Sequence, residues 1–130
     1  NNAEFISLQY TDCKDEIDAR NSVAGYAINW FDEVKAEDYY ETAKLVMSCD
    51  LVISCCTSVI HLAGALGVPC WVMVPNRPAW RYGVAGPMPW YRSVRLYRQP
   101  AGDANSWMPV IQQVGYDLEQ LIQSKERKAA

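Results

Sequence analysis

The sequence predicts an α/β fold with a mostly parallel sheet of about five strands and helices on both of its faces, in three layers. Three observations carry this. Strand-like and helix-like segments alternate along the 130 residues. Leu51-Val-Ile-Ser-Cys55 is nearly all apolar, as a central parallel strand covered on both sides reads. A helix-length segment closed by Gly67 and Pro69 separates that run from a second one, Cys70-Trp-Val-Met-Val74.

In chain order, Phe5–Tyr10 is predicted as a strand, Asp12–Arg20 as a short helix, and Ser22–Asn29 as a weaker strand. Asp38 caps a helix whose residues Tyr39, Thr42, Ala43, Val46 and Met47 recur at spacings of three and four, giving one apolar face. After the third strand, at 51–55, Thr57 or Ser58 can cap the next helix. The fourth strand, at 70–74, is stopped by Pro75. The loop from Asn76 to Arg92 then carries Pro78, Pro87 and Pro89 together with Trp80, Tyr82, Trp90 and Tyr91. Val94–Tyr97 is a fifth strand. Pro109 opens a last helix with Val110, Val114, Leu118, Leu121 and Ile122 on one side.

At 50% hydrophobic and 21% charged, the chain is expected to be a single domain over residues 1–130, with 1–4 and 125–130 as flexible tails. No apolar run approaches the roughly 20 residues of a membrane span, and Asn1-Asn-Ala-Glu4 has neither the basic nor the apolar part of a signal peptide. A cytoplasmic protein is therefore expected. The chain does not open on Met, so Asn1 is compatible with a processing boundary and a natural start upstream. Cys13, Cys49, Cys55, Cys56 and Cys70 are odd in number, two are adjacent, and three flank or sit in strand-like runs, which reads as reduced thiols. One histidine and no Cys-x-x-Cys leave a metal site without support.

Net charge is −3, unevenly distributed. Residues 1–50 hold 11 acids and 4 bases, residues 51–102 hold 5 arginines and no acid, and residues 103–130 hold 4 acids and 3 bases. The cationic middle is either an Arg-bearing loop after a buried stretch or an anion-binding surface. Nucleic acid calls for a domain basic throughout, so a small phosphate compound is the expected anion.

In a parallel sheet, ligands bind beyond the carboxyl ends of the strands, where a following helix points backbone N–H groups. The turn Ser54–Ser58 is the natural phosphate position, and the hydroxyls of Thr57 and Ser58 can add donors. His61 lies one turn further on the same helix face and leans back over that turn. The alternative is that Thr57 only caps and that His61 is a half-buried helix residue bonded to a backbone carbonyl.

The segment Asp50 to Pro75, DLVISCCTSVIHLAGALGVPCWVMVP, closely resembles the donor-site segment of the heptosyltransferase-like glycosyltransferases (family 9). It is most similar to the glycosyltransferase domain that follows tetratricopeptide repeats in many bacterial proteins, whose pattern runs D-L-V-I-S-x-D-T-S-x-x-H-L-A-G-A-L-G-x-P-x-W-V. The resemblance continues in Phe5-Ile-Ser-Leu-Gln9, Thr42-Ala43, Ala79-Trp-Arg-Tyr-Gly83, Pro89-Trp-Tyr-Arg-Ser-Val-Arg-Leu-Tyr-Arg-Gln99 and Gly102-Asp103, so it spans roughly residues 5–122.

The resemblance implies the C-terminal, nucleotide-sugar half of a two-domain GT-B enzyme, with a Rossmann-like sheet. It maps the family's diphosphate and sugar contacts to Thr57, Ser58 and His61, and a nucleoside-diphosphate sugar as donor substrate without a metal or other cofactor. Arg81 stands at the family's Trp-Arg-Trp and is the candidate second cationic contact; the alternative is a structural Arg stacked on Trp80 or Trp90. Cys56 replaces the family's Asp, an acceptor turned into a weak thiol donor. As a nucleophile Cys56 is poorly served, because His61 on the same helix is badly placed as its base. The family's first strand, its acceptor domain and the general base in that domain are missing from the sequence. That implies self-association, a rearranged sheet, or an upstream acceptor domain or tetratricopeptide array as partner. Two functions follow: the donor-binding half of a glycosyltransferase, not catalytic alone, or a domain that has lost catalysis and binds small anions or proteins.

Overall fold

The structure, a computed structural model, describes residues 3–23, 25–102 and 106–129. Asp103, part of the resemblance, and Asn1, Asn2 and Ala130 of the expected tails lie outside the described residues. The fold is α/β, with four α-helices and five strands among those residues, the strands divided between a two-stranded and a three-stranded sheet and paired in parallel within each. The chain forms two compact units, Asn1–Leu45 and Val46–Ala130.

In the first unit, β1 (Phe5–Ile6) pairs in parallel with β2 (Ile28–Asn29), in the register Phe5↔Ile28 and Ile6↔Asn29. Both strands are shorter than the sequence predicts, for local reasons. Gln9 donates its backbone N–H to the Ser7 hydroxyl at 3.3 Å, which turns the chain out of the extended form. Helix α1 (Lys14–Val23) starts two residues later than predicted and takes in Ser22 and Val23, which the sequence predicts as the start of a strand. The Asn21 side chain then bonds both backbone groups of Ile28, at 3.0 and 2.8 Å, standing in for a neighbouring strand. Helix α2 (Tyr39–Ser48) begins where predicted, with the Asp38 carboxylate accepting the Tyr40 N–H at 2.9 Å. Thr42 and Val46 are buried, whereas Met47, expected on the same face, is exposed.

The second unit is built on a sheet of order β3-β4-β5: β3 (Val52–Cys55), β4 (Cys70–Val74) and β5 (Val94–Arg98). Its register runs from Val52↔Cys70 to Cys55↔Met73 and from Cys70↔Val94 to Val74↔Arg98. β4, not β3, is the central strand. Cys70, Val72 and Val74 are fully buried, while Ile53 and Cys55 on β3 are exposed. Helix α3 (Ser58–Ala65) buries Ile60 and Ala63 and packs against all three strands. It ends at Gly67, whose φ of +72° is the left-handed conformation that closes a helix before a proline. Helix α4 (Met108–Ala129) lays Val110 and Val114 against Tyr97, Trp71, Met73 and Trp107, and carries Lys125–Ala129 within the helix. No helix among the described residues is long and apolar enough to cross a membrane.

Candidate functional site

Because the three strands of the second unit are parallel, Cys55, Val74 and Arg98 end at one edge of the sheet. Three segments start there: the tight turn into α3, the loop 75–93, and the turn after Arg98. Thr57 occupies the position that caps α3, in an extended conformation, but its hydroxyl makes no bond to a helix amide. It meets the Ser54 hydroxyl instead, at 3.1 Å, while the Thr57 N–H donates to the Cys55 carbonyl at 2.8 Å. Ser58 is the first residue of the helix, and both Thr57 and Ser58 are exposed.

The side chain that joins the remaining predicted residues is Tyr82, in a short 3-10 turn, Trp80–Tyr82. It is 2% exposed. Its hydroxyl and the Cys56 thiol each act on the other's titration, the Arg81 charge acts on both, and the Tyr82 ring lies 6.1 Å from the His61 ring. The Cys56 thiol donates to the Met73 carbonyl at 3.7 Å, so its one proton is engaged inside the protein. Burial pushes the Tyr82 hydroxyl up to about 12, and it also raises the Cys56 thiol, against the opposing pull of Tyr82, Arg81 and Arg98. Cys56 is therefore held as a neutral thiol, the wrong state for a nucleophile.

His61 is half-buried, edge-on to Tyr91 at 5.8 Å. Burial lowers its pKa and the Arg81 charge lowers it further, so the imidazole is neutral at pH 7. The carbonyl bond expected for a merely structural histidine is not found among the described residues; aromatic rings pack against it instead. Arg81 is exposed, with its guanidinium 5.9 Å from the Tyr82 ring centre. Among the described contacts its guanidinium lies by the Tyr82 ring and not over Trp80 or Trp90, the two expected alternatives, whose rings meet edge-on at 6.1 Å. Trp90 instead donates its indole N–H to the Arg81 carbonyl at 2.9 Å.

Arg98 fixes the loop. From the end of β5 it reaches the carbonyls of Tyr82 at 2.6 Å, Gly83 at 2.9 Å and Gly86 at 3.0 Å. Gln99 ties the edge further, accepting the Asn76 N–H at 3.1 Å and donating to the Ser106 carbonyl at 3.1 Å. Of the five arginines in the cationic stretch, Arg98 thus serves the loop. Arg95 belongs to a separate cluster, pairing with Asp117 at 2.8 Å. Arg77, Arg81 and Arg92 remain exposed in the loop after β4.

The structure therefore brings Cys56, His61 and Arg81 around Tyr82 and places Thr57 and Ser58 at the adjoining helix start. Tyr82, Tyr91 and Arg98 carry the arrangement and had no role assigned from sequence. Their signal was the density of aromatics and arginines in a proline-punctuated loop. Among the described residues no three His, Cys, Asp or Glu side chains converge as a metal site.

No family model matches the chain, and no solved structure matches it. The chain is similar to Protein FlbA of Caulobacter vibrioides, with 38% identity over 96 residues that make up 72% of this chain and 16% of the relative.

Proposed function

We propose that this chain is the nucleotide-sugar-binding half of a GT-B-type glycosyltransferase, binding a nucleoside-diphosphate sugar at the carboxyl edge of β3-β4-β5 and not catalytic on its own. The observation that carries the reading is the Thr57 hydroxyl. It sits at the start of α3 without bonding a helix amide, one helical turn before a neutral His61 that lies in the field of the exposed Arg81. A helix start, a hydroxyl, an imidazole and a guanidinium together suit the charge that builds on a departing nucleoside diphosphate. Similarity confined to 16% of a longer relative supports a part that works with further polypeptide, an acceptor domain or tetratricopeptide repeats. A homo-oligomer and a cytoplasmic setting belong to the same proposal.

The engaged Cys56 thiol favours a second reading, a domain that retains anion binding but has lost catalysis, because no carboxylate is left there to accept a sugar hydroxyl. Thermal-shift titration with ADP-, UDP- and GDP-sugars tests both. Binding contributes about 2.7 kcal/mol at a ligand concentration a hundred times Kd. Absence of any shift refutes the donor site, and a shift that survives Thr57→Val with His61→Ala moves it elsewhere.

A further inference from the structure

The loop after β4 holds two indoles in water. Trp80 is 78% exposed and Trp90 57%, edge-on to one another at 6.1 Å. Large exposed aromatics of this kind mark an interaction surface when they are fixed and grouped. These are both. The Trp90 N–H is engaged by the Arg81 carbonyl, and the backbone between them is clamped by Arg98 through Tyr82, Gly83 and Gly86. With its polar atom so engaged, Trp90 offers solvent only its π surface. The residue joining Trp80 to the buried Tyr82 is Arg81, whose guanidinium is exposed, and the stretch 51–102 contains no acid. A rigid π surface beside a guanidinium is complementary to a planar ring carrying phosphate.

Resting on the proposed donor site, we propose that Trp80, braced by its edge-on contact with Trp90, is the platform that stacks the base of the nucleoside diphosphate whose phosphates Arg81 meets. The chain is acidic overall, with a pI of about 5.1, so a mononucleotide fits it better than a single-stranded nucleic acid, which needs a long basic track. Base recognition through stacking is tolerant of base identity, so ADP, UDP and GDP are all bound, graded by stacking strength.

Calorimetric titration of the chain with ADP, UDP, GDP and inorganic pyrophosphate tests this. The nucleotides are expected to bind at least tenfold more tightly than pyrophosphate. Trp80→Ala is expected to weaken them by about tenfold to a hundredfold, down to the pyrophosphate value, with pyrophosphate itself unchanged and Trp80→Phe restoring much of the loss. Nucleotides, and not pyrophosphate, should also quench indole emission in the unmutated chain, a readout independent of how the variants fold. If pyrophosphate binds as tightly as the nucleotides, or Trp80→Ala leaves them unaffected, the platform is refuted while the phosphate site stands. If neither nucleotides nor pyrophosphate bind, both fall. If oligonucleotides bind more tightly than mononucleotides, the surface serves nucleic acid and the proposal is overturned.

Discussion

Replacing Gly64 with alanine sets two opposing effects against each other on α3, and their sizes follow from the structure. A Cβ there lies 2.4 Å from Cγ, 2.5 Å from Cδ2 and 2.9 Å from Cβ of Tyr91. Ordinary carbon contacts are about 3.5–4.0 Å, so helix and tyrosine must part by about 1 Å. The colliding atoms are the root of the side chain, which moves only with its backbone. Overpacking of this severity belongs near 3 kcal/mol, the upper end of about 1–3 kcal/mol, while alanine gains about 1 kcal/mol over glycine in a helix interior. The net is a loss of about 2 kcal/mol, or roughly 6–8 °C in Tm for a domain of this size. Gly115 on α4 is the control, because a Cβ there meets nothing within 4 Å. Gly115→Ala should gain about 0.5–1 kcal/mol. Urea and thermal unfolding followed by circular dichroism measure both variants. The combined change Gly64→Ala with Tyr91→Ala should recover most of the steric loss that Gly64→Ala shows alone, because only the contact at 2.9 Å with the Cβ of residue 91 remains. A Gly64→Ala chain as stable as the unmutated one refutes the close approach of Tyr91 to α3.

Three other outcomes are expected. Arg98→Lys keeps the charge but cannot span the carbonyls of Tyr82, Gly83 and Gly86, so it should cost about 1–3 kcal/mol and speed proteolysis within residues 83–92. Thiol titration with a disulfide reagent should label exposed Cys55 first and Cys56 more slowly. Cys70, fully buried with its thiol pushed up to about 12, should react only on unfolding. The Tyr97 hydroxyl, ahead of Gln113 and Arg95, holds the Asp117 carboxyl below its ordinary value of 3.8. That stabilisation is present above the ordinary value and is lost as pH falls through the folded one, so urea midpoints taken from about pH 5 down to 2 should fall less steeply for Asp117→Asn.

The parts of the fold that punctuation specifies locally were legible. Asp38 before α2, Gly67 and Pro69 after α3, and Pro75 after β4 each act within a few residues of themselves, and those boundaries fall where the sequence puts them. The order of strands was not legible, because an apolar run reports burial and not neighbours. Leu51–Cys55 reads as central, yet β3 lies at an edge of its sheet. The first unit failed for another reason. Ser7 and Asn21 side chains compete for backbone groups and shorten both strands, and period-two alternation carries no trace of that competition. At the site, Thr57, Ser58 and His61 are visible as one turn of helix. Tyr82 is not, because its burial depends on Cys56 seated on the Met73 carbonyl and on Arg98 arriving from β5, contacts separated by many residues.

If the proposed donor site holds, Cys56 decides which half of a donor this edge recognises. On the proposed reading, a carboxylate at position 56 would lie beside the Tyr82 hydroxyl and within the fields of Arg81 and Arg98, the groups that already act on the thiol, and they would hold it ionised. The thiol leaves the edge one negative charge poorer, which favours a diphosphate, and removes the acceptor that a sugar hydroxyl needs. The expected result is that a nucleoside diphosphate and its sugar conjugate bind within about threefold of each other, since a missing hydrogen-bond acceptor forfeits about 1 kcal/mol or more of discrimination. Cys56→Asp should weaken the free diphosphate by charge repulsion and weaken the sugar conjugate less, a divergence that paired calorimetric titrations of ADP with ADP-glucose, and UDP with UDP-glucose, can resolve. A sugar conjugate that binds the unmutated chain more than tenfold more tightly than its diphosphate would mean that another group accepts the sugar, and that position 56 has no part in the choice.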